Sequence, residues 1–300
     1  MSNVRQPHVI QPHTFHLGQD SLFKYCNGRG IDILQSLRLK VSPPNQFNDP
    51  FEFLPKVDFC IDETDVKKWM TDPKLLRSTW EQSGLHIPFE DFYDRICKAM
   101  SENIELEHVA RTRTLLEDLA LKSRGDLVDF ISETYALACY SEVPDNLLMW
   151  SHYTDGHRGI VVEFDAKKSF FAPRVNLTPV NYRSERASAK YDSKGFVFDE
   201  HELSVVTTKS LDWSYEREWR QLFQVKYCTK IHNPDGTTCF YVSIPSDAIA
   251  SVIFGVRCRR ETENIVRDLG KRPDLQHVRL SRAVLHERDF KINVVPADDK

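Results

Sequence analysis

The chain has 300 residues, a formal net charge of −4 and a hydrophobic content of 41%, which together indicate an ordinary globular protein with a sizeable core. Its longest apolar runs are far shorter than the roughly 20 residues that a membrane span requires, which argues against a membrane partner. The N-terminus has no basic start followed by an apolar stretch, so we expect a cytoplasmic protein without a secretory signal.

The first predicted elements alternate between strands and a short helix. The stretch SLFKYC predicts a strand in which Lys24 and Tyr25 point to opposite faces. GIDILQSL, at residues 30–37, predicts a short helix. RLKVS, at residues 38–42, predicts a second strand that stops before two prolines, since proline is excluded from the middle of a sheet.

The hexapeptide FNDPFE, at residues 47–52, places an Asn-Asp-Pro turn between two phenylalanines and closes it with Glu52. Turn residues of this kind are typical of a loop. One interpretation is a loop pinned by two core rings. The other is the rim of a pocket, which would make Asn48 and Asp49 candidate ligand contacts.

Residues 61–133 differ from the rest of the chain in charge and in pattern. They contain sixteen acidic and ten basic residues, a balance of −6. Apolar residues recur at intervals of three and four in DVKKWM, PFEDFYDRICKAM and HVARTRTLLEDLALKSR, which predicts helices. A stripe from Phe89 to Met100 is interpreted as core packing. We therefore expect an acidic helical insertion that carries little chemistry.

Two further strands, ALACYS and GIVVEFD, are predicted on either side of a short helix. In the second strand Ile160, Val162 and Phe164 fall on one face, while Val161 and Glu163 fall on the other.

The helix between these strands is predicted in PDNLLMWSHYTDGHRG. Asp145 is the expected N-cap and Gly156 the expected end. Met149, His152 and Tyr153 share one face through their spacing of three and four residues. His152 and Tyr153 are candidate site residues, although a histidine on such a face is often a core residue.

The stretch WSYEREWRQLF has two interpretations. As a strand, it places Glu216, Glu218 and Arg220 on one face, with the two carboxylates about 7 Å apart. Such a pair suits chemistry at a sugar, because one carboxylate can bond a ribose hydroxyl while both stabilise positive charge at the anomeric carbon. As a helix, it would pair Glu216 with Arg220 and align Tyr215 with Trp219. The following LFQVKY favours the strand.

The C-terminal part predicts strands in YVSIP and SVIFG, a helix in RRETENIVRDLG that ends at Gly270, and strands in HVRLSRAV and FKINVV. These elements indicate an α+β fold with short helices against a curved mixed sheet. Residues 1–20 are expected to be an N-terminal extension and residues 21–300 a single domain. The seven cysteines are at least eleven residues apart, which predicts free thiols and no CxxC metal site.

Three motifs together carry a resemblance to a known family. FNDPFE, CYSEVPDNLLMWSHYTDGHRGIVVEFD and W-x-Y-E-x-E-W-R, in this order, are similar to a bacterial family described only as a domain of unknown function. The resemblance spans roughly residues 22–260 apart from the acidic insertion. It implies a role in bacterial stress or phage defence.

The chain also resembles ADP-ribosyltransferase-like folds, which bind NAD in the cleft of a split α+β domain. That resemblance implies NAD as the substrate and a late catalytic glutamate within E-x-E. The catalytic roles then fall to Glu218, Glu216 and His152. The candidate NAD-binding residues are Lys24, Tyr25, Asn48, Asp49, Tyr153 and Arg220. We expect Lys24, Asp49, His152 and Glu218 to converge on one cleft.

Three functions remain open on the sequence alone. The first is an NAD-consuming enzyme that transfers ADP-ribose to a macromolecular acceptor or hydrolyses the nucleotide. The second is a non-catalytic binding module. The third is a metal-dependent nuclease, because Asp165 and Lys167 have the D-x-K form, with Asp49 or Glu163 as further ligands.

Overall fold

The computed structural model describes residues 20–60, 63–101, 106–171, 177–192, 195–197 and 202–297, so the expected N-terminal extension lies almost entirely outside the described residues. The helices are α1 Ile31–Ser36, α2 Glu63–Met70, α3 Pro73–Ser83, α4 Phe89–Ser101, α5 Leu106–Lys122, α6 Arg124–Thr134, α7 Leu147–Tyr153, α8 Glu202–Thr207 and α9 Arg260–Leu269. None of the helices in these ranges is long and apolar enough to cross a membrane.

Sixteen strands accompany the helices in the described ranges. They are β1 Ser21–Cys26, β2 Arg38–Val41, β3 Lys56–Phe59, β4 Tyr135–Ser141, β5 Ile160–Asp165, β6 Leu177–Pro179, β7 Asn181–Arg183, β8 Ser188–Asp192, β9 Gly195–Val197, β10 Thr208–Ser210, β11 Glu218–Gln224, β12 Thr229–His232, β13 Thr238–Ser243, β14 Ile249–Phe254, β15 Arg279–Leu285 and β16 Ile292–Pro296. The mixture of helices and strands confirms the predicted α+β class.

The chain divides into two compact units, the first of which includes residues 54–128 and 187–205. This unit contains the helices predicted from the apolar periodicity of the acidic segment. The ring of Phe89 lies 6.0 Å from that of Trp80, and the guanidinium carbon of Arg77 lies 4.0 Å from the centre of the Phe89 ring. The unit also contains a small sheet in the order β3-β8-β9, which the sequence does not predict.

The second unit includes residues 20–53, 129–186 and 206–297 and is built on an eight-stranded sheet. The strand order is β16-β15-β14-β5-β1-β4-β11-β6. The β14-β15 pair is parallel and the other neighbours are antiparallel, so the sheet is mixed as predicted. A second sheet in the order β12-β13-β2 and a parallel pair of β10 and β7 complete the unit.

Each face of the large sheet buries its own core cluster. The first core cluster includes Ile160, Val162 and Phe164 of β5 and is covered by residues of α1 and α9. The second core cluster includes Val161 together with Met149 and Trp150 of α7. The alternation predicted for GIVVEFD is therefore confirmed, because successive side chains of a strand point to opposite faces.

Gly159 stands where the start of β5 passes close to the end of β1. A Cβ atom added to Gly159 would lie 2.0 Å from the carbonyl oxygen of Cys26, whereas one added to Gly28 would meet nothing within 4 Å. Only glycine therefore permits this approach between the two strands.

We predict that Gly159→Ala lowers the free energy of unfolding by about 2 kcal/mol or more, because the new methyl group must displace backbone. The matched control Gly28→Ala should change it by less than about 1 kcal/mol. Urea denaturation followed by circular dichroism measures both values. Equal stability of the two variants would contradict the close approach.

Candidate functional site

Helix α7 supplies two of the predicted site residues. Its N-cap is Asn146, whose side-chain oxygen accepts hydrogen bonds of 3.0 Å from the amides of Leu148 and Met149. The prediction of Asp145 as N-cap was wrong, because the helix begins one residue later. His152 is exposed, while Tyr153 is partly buried and turns its hydroxyl inward.

The turn after α7 holds three successive residues in the left-handed region. Asp155, Gly156 and His157 have φ angles of 53°, 61° and 69°. The helix ends at Tyr153, three residues before the glycine that was expected to end it. The ring of His157 stacks on Trp150 with an interplanar angle of 8°, which ties the turn back to the core.

The segment around the two glutamates is neither a continuous strand nor a helix. A 3-10 helix spans Leu211–Glu216, and β11 starts at Glu218. Arg217, between them, has a φ of 44°. The strand prediction was therefore right from Glu218 onward and wrong for Tyr215 and Glu216. A left-handed non-glycine residue is unfavourable by about 1–2 kcal/mol and marks a sharp change of chain direction.

That change of direction brings both carboxylates to one ammonium group. Nζ of Lys209 lies 2.7 Å from a carboxylate oxygen of Glu216 and 3.0 Å from one of Glu218. A third carboxylate, from Glu52, lies 3.1 Å from the same nitrogen. Lys209 follows α8 on the short strand β10, and its side chain is only 7% exposed.

Arg220 completes this buried group from β11, where it lies two residues after Glu218 on the same face of the strand. Its side chain is fully buried, and Nε donates to Glu218 at 2.8 Å. Nη2 forms a short hydrogen bond with Glu52, and Nη1 donates to the carbonyl oxygen of Val206 at 2.7 Å. We call the five ionisable side chains the charge cluster; its members are Glu52, Lys209, Glu216, Glu218 and Arg220.

The FNDPFE loop contributes Glu52 to the charge cluster, and aromatic rings in and next to the loop pack against the guanidinium of Arg220. The guanidinium carbon lies 5.8 Å from the ring centre of Phe47 and 5.0 Å from that of Phe53. Phe51, which was the second ring of the pinning interpretation, is 61% exposed. The rings that pin the loop are thus Phe47 and Phe53, which contact each other edge to face at 4.8 Å.

Asn48 and Asp49 occupy the turn itself. Asn48 is exposed. A carboxylate oxygen of Asp49 accepts a hydrogen bond of 2.9 Å from the amide of Phe51, so this side chain shapes the turn. The loop therefore contributes to the charge cluster through its closing acid, Glu52.

Two tyrosine hydroxyls contact the glutamates. The hydroxyl of Tyr153 donates to Glu216 at 2.5 Å, which connects α7 to the charge cluster. The hydroxyl of Tyr182, from β7, accepts a bond of 2.8 Å from the amide of Glu218. Burial, together with the charge of Glu216, raises the pKa of Tyr153 far above its ordinary value, so it remains a hydrogen-bond donor at neutral pH.

The two glutamates have pKa values that are pushed in opposite directions. Burial would raise the pKa of Glu218, but the charges of Arg220 and Lys209 outweigh it and lower the value to about 2. Burial raises the pKa of Glu216, which Lys209 offsets only in part. The difference arises because the guanidinium of Arg220 bonds Glu218.

Aromatic rings lie beside the charge cluster. The ring of Tyr215 lies 6.5 Å from that of His152 and 6.1 Å from that of Trp213, and the ring of Tyr153 lies 6.3 Å from His152. All four retain some exposure to solvent. We call them the aromatic rim. It contacts the charge cluster through the bond from Tyr153 to Glu216 and through Trp213, whose ring centre lies 4.9 Å from Nζ of Lys209.

Lys24 and Tyr25 point to opposite faces of the large sheet, as predicted. Tyr25 belongs to the second core cluster, and its hydroxyl donates to the carbonyl oxygen of Val143 at 2.8 Å. Lys24 donates to the carbonyl oxygen of Cys139 and lies over the ring of Tyr140, a member of the first core cluster.

Glu218 and Lys24 lie on opposite faces of the sheet. Trp219 belongs to the first core cluster, so its strand neighbours Glu218 and Arg220 face the other way. Of the four residues expected to converge, Glu218 lies in the charge cluster, Asp49 lies in the turn of the loop that carries Glu52, and Lys24 lies on the other face of the sheet. His152 lies beside Tyr215, and the Tyr215 hydroxyl is 3.4 Å from Nδ1 of His152.

The residues of the D-x-K form have other partners. A carboxylate oxygen of Asp165 accepts from the amide of Lys167, and Nζ of Lys167 pairs with Asp20 at 2.6 Å. Glu163 accepts hydrogen bonds from Ser21 and Ser251. Within the part of the chain that the structure describes, no group of three or more His, Cys, Asp or Glu side chains is placed to hold a metal ion.

Comparison with known proteins supports an uncharacterised domain. Residues 149–221 match the model of a family described as a protein of unknown function, DUF2971. The matched segment includes Tyr153 and every member of the charge cluster except Glu52. No curated protein matches the chain, and no solved structure does.

We predict that Arg220→Met lowers the free energy of unfolding by about 3–5 kcal/mol, because it leaves buried carboxylates without their partner. Arg113→Met is the matched control, since Arg113 forms an exposed pair with Glu117 one helical turn away. Its loss should cost no more than about 0.5 kcal/mol. Chemical denaturation at neutral pH measures both. If Arg220→Met lowers the free energy of unfolding no more than the control does, the charge cluster does not stabilise the fold.

The lowered pKa of Glu218 predicts a loss of stability in acid. Its contribution is fully present above the ordinary pKa of 4.5 and is lost as the pH falls from 4.5 towards about 2. The loss should be on the order of 3 kcal/mol. Unfolding free energies of the wild type and Glu218→Gln across this range test it. If the free energy of unfolding depends on pH in the same way in both proteins, the pKa of Glu218 is not lowered in the folded state.

Proposed function

We propose that this chain is an NAD-consuming enzyme that breaks the bond between nicotinamide and C1′ of its ribose, and passes ADP-ribose to water or to an acceptor. The observation that carries the proposal is the pair of carboxylates, Glu216 and Glu218, held on one ammonium group beside the aromatic rim. Paired carboxylates in distinct environments are suited to displacement at an anomeric carbon.

Glu218 supplies the fixed negative charge in this proposal. As the C1′–N bond breaks, its electron pair leaves with nicotinamide, which becomes neutral, and positive charge develops at C1′. An anion kept ionised by Arg220 and Lys209 stabilises that charge without reorganising.

Glu216 accepts the proton in the second half of the reaction. The oxygen of water or of an acceptor hydroxyl bonds to C1′, and its proton passes to the carboxylate. The raised pKa of Glu216 favours this transfer, and the bond from Tyr153 holds the carboxylate in place. ADP-ribose or its adduct and neutral nicotinamide are the products.

The residues around the pair are compatible with a nucleotide ligand. The aromatic rim offers ring faces for stacking, and His152 is an exposed candidate contact. Asn48 and Asp49 lie in the loop that carries Glu52 and are candidate polar contacts. Lys24 lies on the other face of the sheet and has no role in this proposal.

A non-catalytic binding module is the second candidate, and the burial of the charge cluster favours it. Glu218 is 5% exposed, and both of its oxygens bond to Arg220 or Lys209. In that case the five charges hold the fold together, and the aromatic rim alone contacts a ligand.

We predict that Glu218→Gln lowers nicotinamide release from NAD by about 100-fold or more, because it removes the charge and keeps the shape. NAD binding should change much less. The exposed Glu261, on α9, provides the matched control Glu261→Gln, which should retain full activity. Chromatographic measurement of nicotinamide, with circular dichroism to verify folding, makes the test.

Two outcomes would reject the proposed enzymatic activity. The first is an absence of nicotinamide release from the wild type with every acceptor tested, water included. The second is equal release from the wild type and folded Glu218→Gln. NAD binding without any turnover would support the binding module.

A further inference from the structure

The large sheet ends at β16, a strand without charged side chains. Within the described ranges β16 pairs with β15 alone, so it forms one edge of the sheet. Residues 292–297 contain no Lys, Arg, Asp or Glu. Charged side chains are a common protection of edge strands, because an unprotected edge pairs with further strands. The edge strand β12 has this protection through the exposed Lys230, whereas β16 does not.

Alternate backbone groups of β16 point away from β15. The amide of Ala297 donates to the carbonyl oxygen of Leu280 on β15. Because bonded and unbonded pairs alternate in an antiparallel ladder, every second residue back from Ala297 also bonds β15. The residues between them, Ile292 and Val294, therefore direct their amide and carbonyl groups outward. These groups offer the backbone bonds of one more antiparallel strand.

The same edge exposes apolar side chains. Leu285 of β15 lies opposite Ile292 of β16, which belongs to the second core cluster. Val294 lies on that face too, because it is two residues after Ile292. Leu285 is 64% exposed and Val294 is 37% exposed. The second core cluster thus continues to the sheet edge as apolar surface in contact with water, and covering it is favourable.

We infer that β16 is a self-association surface, on which a second copy of this chain adds its own β16 in antiparallel orientation about a two-fold axis at Asn293. In this register Ile292 of each copy pairs with Val294 of the other. Both outward amides of each strand then donate to a carbonyl oxygen of the other copy, which gives four backbone hydrogen bonds. Pro296 has no amide hydrogen, but it lies beyond these pairs and its absence costs none of them.

The side chains of β16 are compatible with a second β16. On the face of the second core cluster, Ile292 and Val294 of both copies would form one apolar patch, with Leu285 of each copy beside it. The nearest charged side chain, Lys291, would lie opposite Val295 of the other copy. No like charges therefore meet across the paired strands. A strand with a charged residue on this face would instead place that charge against apolar side chains, which is unfavourable.

Sedimentation velocity of the full chain at a series of concentrations tests the association. We expect a reversible dimer with a dissociation constant on the order of micromolar. Val294→Lys should weaken the association by about 10-fold or more, because it places a cation within the apolar patch of each copy. Ile231→Lys is the matched control, because Ile231 is 40% exposed on the other edge strand, β12. It should leave the dimer unchanged.

A cysteine at the two-fold axis tests the register. The two residues 293 would form a pair without hydrogen bonds, with Cα atoms about 4.5 Å apart, which a disulfide spans. Oxidation of Asn293→Cys by dissolved oxygen should therefore join two copies through residue 293. Mass spectrometry of the joined peptides distinguishes this bond from bonds of the seven native cysteines. Val295→Cys is the matched control, because the two residues 295 would lie about 13 Å apart, too far for a disulfide.

The outcomes decide between this surface and others. A dimer that is weakened by Val294→Lys and joined through residue 293 supports the inference. A chain that stays monomeric at sub-millimolar concentration overturns it. A dimer that Val294→Lys leaves unchanged, or that is joined through residue 295 as readily as through residue 293, also overturns it. If circular dichroism shows that Val294→Lys does not fold, the two cysteine variants decide.

Discussion

The ion pairs of Lys209 and Arg220 with three buried carboxylates are the interaction on which the site depends. Removing such charges from water costs several kcal/mol for each ion, and only direct partners offset that cost. The contacts therefore require the FNDPFE loop, β10, the 3-10 helix and β11 to meet with little freedom. The bond from Tyr153 to Glu216 adds α7 to the same arrangement. Stability and the positions of the candidate catalytic groups thus have one physical origin.

The backbone at Arg217 and the distribution of cations make the two glutamates different. In a continuous strand they would be equivalent neighbours along one face. The left-handed residue instead turns both carboxylates towards Lys209, while only Glu218 also bonds Arg220. Two chemically identical groups are thereby given different affinities for a proton, which is the condition for separate roles in catalysis.

Features that depend on local sequence were predictable, and those that depend on distant contacts were not. The alternation of residues in GIVVEFD predicted both the strand β5 and the face on which each of its side chains lies, because the period of apolar residues follows their burial. The start of α7 was misplaced by one residue, because Asp145 and Asn146 are both favourable N-cap residues, and Asn146 also donates a hydrogen bond to the distant carbonyl oxygen of Tyr215. Glu52 and Arg220 are 168 residues apart, and Lys209 lies in no motif. Pairing of this kind leaves no periodic signal, so Glu52 and Lys209 were not predicted as partners of the two carboxylates, whereas strand alternation did place Arg220 on the same face as Glu218.

A carboxyl titration by ¹³C NMR tests the difference between the two glutamates most directly. Protein labelled at the side-chain carboxyls of glutamate would be titrated, with Glu216→Gln and Glu218→Gln used for assignment. We predict that Glu218 titrates with a pKa of about 2, while Glu216 titrates above the ordinary value of 4.5. Two resonances that both titrate near 4.5 would contradict it, because they would show that the cations do not distinguish the two carboxylates.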